Sequence, residues 1–273
     1  MTVSRRSALA CVSALAVSAA DSSVASTLHN VMVNGGVPSA PSAAQRVHHL
    51  LVHRDAAPGA PYFAAIAVPS GDTAWAGFND LDERAYAQAS GKYTLRGYRL
   101  RRVNAFQTKA GMRYAAIWQL AQGPAWETRH GMTPAQFAAQ SDRYAARGFA
   151  IAHVDAAATS SGTRFAAIWE KRDAAQKHFT ALTGAAFKLK SAELATQGYR
   201  PRQVAGHTQN GRALFAATFE KGGAQDFIAH HAMAEPAFRA RVNAMLARNY
   251  RLSDASGYVV RGRPMFSGIW ERA

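Results

Sequence analysis

Cysteine is almost missing from this chain: Cys11 is the only one among 273 residues. A disulfide framework and a cysteine-built zinc site are both excluded, because each needs several thiols. Acidic side chains are scarce too, with 17 Asp and Glu against 32 Lys and Arg, for a formal charge of +15. Such a balance draws polyanions by long-range attraction. Charged residues make up only 18% of the chain against 48% hydrophobic, so a sizeable core is expected rather than disorder. Three spacings that carry hydrolytic chemistry are absent: His-Glu-x-x-His, Gly-x-Ser-x-Gly and Ser-x-x-Lys. The 10 histidines include the adjacent pairs His48-His49 and His230-His231. Neighbours on a strand or helix point in different directions and chelate poorly, so no metal or other cofactor is expected.

The first residues have the layout of a secretory signal peptide. Arg5 and Arg6 precede an uncharged, Ala-rich stretch from Ser7 to Ala19, and Val17-Ser18-Ala19 offers small residues for cleavage. Ser4-Arg5-Arg6 with Leu9 partly matches a twin-arginine signal. Residues 1–19 are therefore expected to be removed, Cys11 with them, and the protein to be exported to the periplasm or beyond the cell. Losing Arg5 and Arg6 lowers the formal charge to about +13. Residues 20–44 follow as a flexible linker, because the stretch 30–44 is uncharged and rich in Gly, Pro, Ser and Ala.

The rest of the chain repeats. Copies of one pattern begin at Gly97, Gly148, Gly198 and Asn249, spaced by 51, 50 and 51 residues, and close on Trp118, Trp169, Phe219 and Trp270 at the same spacings. Two columns keeping one period are a strong sign of a repeat domain. A fifth copy lies upstream, where stepping back 51 residues from Val103 reaches Val52 and from Tyr114 reaches Phe63. Each copy reads as two strands around a glycine turn, over about 46–67, 97–119, 148–170, 198–220 and 249–271. In Arg113–Trp118 both faces are apolar, so that strand is expected to be covered on both sides.

Helices fill the gaps. Thr133-Pro134-Ala135-Gln136 predicts an N-cap, a proline in the first turn and a capping box. The Gly97, Gly148, Gly198 and Asn249 column predicts left-handed residues just past each helix. The expected fold is α+β: one domain over 45–273, a tandem repeat of antiparallel hairpins and helices with about ten strands and four helices. Its curved sheet is expected to hide its edges by closing into a barrel or half-barrel.

These residues carry a resemblance. Trp126–Met132 (WETRHGM), the TPAQF that follows and RFAAIWEKR ending at Arg172 resemble a bacterial tandem-repeat family with units of about 50 residues. That family is similar to the N-terminal repeat domain of fungal polyglycine hydrolases. The resemblance covers roughly 45–273, and such units often accompany a serine hydrolase domain of the penicillin-binding type. With no Ser-x-x-Lys here, the resemblance transfers no catalytic residue.

The candidate binding residues are Arg129 and His130, followed by His230 and His231 at the matching place in the last unit. Read as the lead-in to a helix N-terminus, Arg129-His130 would favour a carboxylate, phosphate or sulfated sugar; read as repeat residues, they would pack one unit on the next. The expected function is a non-enzymatic exported domain for binding or scaffolding, with an anionic envelope polymer, glycan or peptide as partner. Nucleic acid is disfavoured by export and by the dispersal of the basic residues. The alternative is a cryptic peptide- or glycan-hydrolase with His130 as acid–base; it requires an open cleft around that side chain.

Overall fold

The computed structural model describes residues 30–34, 45–53, 62–69, 74–222 and 226–272, with side chains over 74–222 and 226–272. The expected signal segment lies outside the described residues. So does the expected linker, apart from Asn30–Asn34, which forms a strand.

Every unit contributes three strands. The first has β1 (Asn30–Asn34), β2 (Gln45–His53) and β3 (Tyr62–Pro69). The second has β4 (Trp75–Leu81), α1 (Glu83–Leu95), β5 (Tyr98–Thr108) and β6 (Gly111–Leu120). The third has β7 (Trp126–Met132), α2 (Pro134–Ala145), β8 (Phe149–Thr159) and β9 (Gly162–Lys171). The fourth has β10 (Gln176–Leu182), α3 (Gly184–Thr196), β11 (Tyr199–Gln209) and β12 (Arg212–Lys221). The fifth has β13 (Phe227–Ala234), α4 (Glu235–Ala247), β14 (Tyr250–Val260) and β15 (Arg263–Arg272). The sheets share one order: β1-β3-β2, β4-β6-β5, β7-β9-β8, β10-β12-β11 and β13-β15-β14, all antiparallel.

The ten expected strands are thus fifteen among the described residues, while the four expected helices stand. In the second to fifth units the additional strand precedes the helix. WETRHGM, expected as a helix lead-in, is β7, paired with β9 from Trp126↔Glu170 to Met132↔Phe165. Its register breaks between Arg129 and Met132, and β4, β10 and β13 break at the same place. Such a bulge bends an outer strand away from the ladder and into the helix that follows.

The helix signals hold. Thr133 caps α2, and the capping box with Gln136 is complete. Asp82 and Thr183 cap α1 and α3 in the same way, whereas Ala234 before α4 offers no side chain. Gly97, Gly148, Gly198 and Asn249 take φ of +80, +76, +78 and +61, the left-handed residue that ends a helix. The middle strand is buried on both faces: Tyr114, Ala116 and Trp118 on one, Ala115 and Ile117 on the other.

Trp118, Trp169, Phe219 and Trp270 lie under their own unit's helix, as in Tyr144–Trp169 with ring centroids 4.7 Å apart. The same face reaches the next sheet: Val154, Ala156 and Phe165 pack with Ala205 and Ala216. Sheets therefore stack face to face. β5 packs on β8, β8 on β11, β11 on β14, β14 on β2 and β2 on β5. The five sheets form a ring like the blades of a propeller. The expected barrel or half-barrel is not found: among the described strands no ladder joins one sheet to the next, and closure comes from packing.

A ring of separate sheets leaves the inner edge of each sheet without strand partners, and those backbone groups need substitutes. The neighbouring unit provides them. Asp155 accepts from the Ala105 N–H at 2.8 Å, Asp254 from Val204 at 2.9 Å, and Ser256 from Gly206 at 2.8 Å. His153 Nε2 lies 2.9 Å from the Val103 carbonyl, and Gln203 donates to that of Ala152. Arg102, His153, Gln203 and Asp254 occupy one register position in four units, opposite Ile117, Ile168, Thr218 and Ile269. Arg102 Nη1 reaches across the ring to Asp254 Oδ1 at 3.0 Å and also sits 3.0 Å from His153 Nδ1. Burial and the adjacent Arg102 cation hold His153 down to about 3, while burial pushes Asp155 up to about 6.

At the end of the ring where the inner strands begin, each described interface from the second unit onward carries a glutamate ion pair. Arg99 and Arg101 meet Glu170 at 3.0 and 3.3 Å; Arg200 and Arg202 meet Glu271 at 3.5 and 2.7 Å. Between them, Ala150 and Ala152 replace the inner-strand arginines, and Arg172 reaches Glu220 at 2.7 Å instead.

Candidate functional site

The four side chains singled out from the sequence do not meet. Arg129 and His130 lie on β7, His230 and His231 on β13. His130 stands edge-on to Tyr86 and Tyr114 of the preceding unit, with ring centroids 4.9 and 5.0 Å away. Its Nε2 is 3.5 Å from Glu83 Oε1. Burial lowers its pKa, and Glu83 pulls part of the way back. His231 repeats the arrangement two units on, against Phe187 and Phe215 at 5.7 and 5.0 Å. It fills the space left by Gly184, where a Cβ would come within 2.7 Å of the imidazole. Both histidines thus seat an outer strand on the previous blade.

Arg129 is exposed and donates to its neighbour Thr128's carbonyl at 2.7 Å. His230 packs edge-on to Trp270 at 6.0 Å, its pKa lowered by burial and by Arg241. The N-terminus of α2 does not wait for an anion from Arg129 and His130. Thr133 Oγ1 already accepts from Gln136 N–H, and Gln136 Oε1 from Thr133 N–H.

The concave surface lies elsewhere, at the hairpin-tip end of the ring. A cavity of about 600 Å³ opens there, lined by matching positions of the second to fifth units. Its existence traces to one column. Ala105, Ala156, Gly206 and Gly257 are equivalent residues of the four inner strands, and all are small. The next column, Phe106, Ala157, His207 and Tyr258, is buried and forms the floor. Tyr258 packs against Gly206, whose Cβ, if present, would fall 2.2 Å from the ring. Its hydroxyl is pinned by the Ala232 N–H at 3.0 Å. Sequence spacing could have pointed to this place: the small column sits five or six residues before each turn glycine.

Among the described lining residues the only charged side chains are Lys109 and Arg261. Burial holds His207 down to about 4, against a backbone contact at Ala205, so it stays neutral near pH 7. Arg261 is held at φ +49, beside Gly262 at +77, in a two-residue turn. The fourth unit has Asn210 at that turn position, with φ +51. Asparagine tolerates the left-handed region; arginine pays about 1 kcal/mol for it. Below the floor the middle of the ring is filled: Asn104, Asp155 and Ser256 form one buried level, and His153, Gln203, Asp254 and Arg102 the next.

The family model described as "Polyglycine hydrolase-like, structural repeat" matches residues 72–120, 123–172, 180–222 and 224–273. The first match runs from outer strand through helix to the inner and middle strands, so the repeating unit is one blade. The β1-β3-β2 sheet of the first unit shares the strand order but lies outside the matches. Comparison with curated proteins gave no match.

Proposed function

For this chain, which belongs to the polyglycine hydrolase-like structural-repeat family, we propose the role of an exported, non-enzymatic binding domain that holds an anionic glycan or envelope polymer at the hairpin-tip cavity. The observation that carries this reading is the cavity itself: a space of about 600 Å³ whose described charged lining is cationic only. Its size is that of a small-molecule or oligomer site. The formal charge, about +13 once Arg5 and Arg6 are removed with the signal segment, adds long-range attraction for the same class of ligand. The hydrolase alternative asked for an open cleft around His130, and the packing of that ring between Tyr86 and Tyr114 weighs against it. Export rests on Arg5, Arg6 and the stretch Ser7–Ala19.

The test is equilibrium binding of the protein to acidic and neutral polysaccharides at low and high salt. Acidic polymers are expected to bind, with affinity falling as salt rises. Equal binding of neutral polymers, or no binding at all, overturns the role. N-terminal sequencing of secreted protein checks export; the expected start is Ala20.

A further inference from the structure

Building on that reading, we infer that the cavity is a chain-end site for a uronic-acid-type sugar: it takes the terminal residues of an acidic glycan and not an internal stretch. Three observations carry this. The first is closure. Beneath the floor of Phe106, His207 and Tyr258, the middle of the ring is filled by the buried Arg102–Asp254 pair and the side chains around it. Among the described side chains no passage is left for a polymer to thread through, so an internal segment would have to enter and leave by one mouth.

The second is the hydrogen-bonding state of the rim. Thr108 and Thr159 each donate their hydroxyl proton to a turn carbonyl, of Gly111 at 2.9 Å and Gly162 at 2.6 Å. Thr208 donates to the Val259 carbonyl. With their protons committed, and with Thr108 and Thr159 already accepting from the Ala110 and Ser161 N–H groups at 3.2 Å, these hydroxyls can offer a ligand only the lone pairs that remain. They suit a ligand that brings O–H donors, as sugars do, and offer nothing to a bare phosphate chain.

The third is sidedness. Lys109 and Arg261 belong to the second and fifth units, which flank the first. Two of the three rim threonines, Thr159 and Thr208, belong to the third and fourth, on the far wall, while Thr108 stands beside Lys109 in the second. A carboxylate on one side of a sugar ring and hydroxyls on the other match that division. Arg261 keeps its cation at this mouth from a left-handed backbone position that disfavours it.

The experiment uses the full-length protein with polygalacturonate before and after cutting, with trigalacturonate, and with tripolyphosphate as an anion lacking sugar hydroxyls. Expected are binding sites per gram of polymer that rise in proportion to the number of ends, and trigalacturonate that binds more tightly than tripolyphosphate. Arg261→Asn removes the cation while placing a residue suited to the turn. It is expected to keep or raise the unfolding midpoint and to weaken trigalacturonate about tenfold, the loss of one charge-assisted hydrogen bond. Sites per gram that do not change on cutting overturn the chain-end inference and leave the binding role standing. Tripolyphosphate binding as tightly as trigalacturonate overturns the sugar assignment. Failure of every acidic polymer to bind overturns both this inference and the proposed function.

Discussion

Arg102 and Asp254 are 152 residues apart in sequence and can touch only if the ring closes. Replacing Arg102 by Met leaves the Asp254 carboxylate, whose side chain is 5% exposed, without its cation. Breaking a buried pair from one side costs about 3–5 kcal/mol. Asp254→Asn leaves the guanidinium stranded instead, and the Val204 N–H keeps an oxygen acceptor. The double variant strands neither charge. It should therefore be less destabilised than the sum of the two by about 2 kcal/mol, a coupling typical of contacting charged groups. Urea unfolding of the four proteins measures this. Additivity within about 0.5 kcal/mol would mean that the side chains do not meet, and the closed ring would fall with them.

Acidity supplies a second readout. Burial raises the Asp254 pKa, with Arg102 the main influence in the other direction. A carboxyl raised in the folded state contributes stability that is complete below the unfolded pKa and lost as pH rises through the folded one. Removing Arg102 enlarges that loss, so the deficit of Arg102→Met should shrink as pH falls from 7 towards 4.

Other outcomes follow from the same packing. His153, held down to about 3, contributes stability that is present above the unfolded histidine pKa and lost as pH falls below it, about 2 kcal/mol between pH 7 and 5. His153→Gln, the side chain the fourth unit carries there, should flatten that part of the pH–stability curve and stay near neutral at pH 7; an unchanged slope refutes the assignment. Asp155, raised to about 6, acts in the opposite sense and returns about 1 kcal/mol over the same window. Ala234→Thr gives α4 the cap its siblings have on nearly the same backbone, and chemical denaturation should show a gain of about 1 kcal/mol. The indole N–H groups of Trp118, Trp169 and Trp270 have no acceptor. Trp169→Phe, the fourth unit's own choice, should therefore cost under about 1 kcal/mol in an unfolding titration, against about 3–5 for Trp169→Ala.

Much of one blade was legible because its signals are local. The Thr133 cap, the left-handed column at Gly148 and its siblings, and the doubly apolar middle strand each follow from a few adjacent residues. The outer strand was not legible, since seven residues with a bulge and a half-buried face lack a clean period of two. In the first unit the step of 51 residues is right for β3 but wrong by two for β2. Val52 stands opposite Phe63, whereas Val103 stands opposite Ala116, so Leu50 is the true counterpart of Val103. Ring closure was hidden for a different reason. It depends on Arg102, His153, Gln203 and Asp254, four unlike residues that a search for self-similarity reads as mismatches. The same blindness applies to His130: its motif is genuine, but what it reports is an aromatic seat on the neighbouring blade.

An open stack of repeats has outermost members, which fray first and to which further copies can be added. A closed circle has none. Opening any blade here exposes two interfaces at once, so partial melting from one end gains nothing and the chain should unfold as a single cooperative unit despite its modular look. Copy number is frozen as well: a sixth blade would draw Arg102 and Asp254 apart, and a missing one would push them into collision. This lineage can change by substituting within its five blades, while growth by duplication is closed to it.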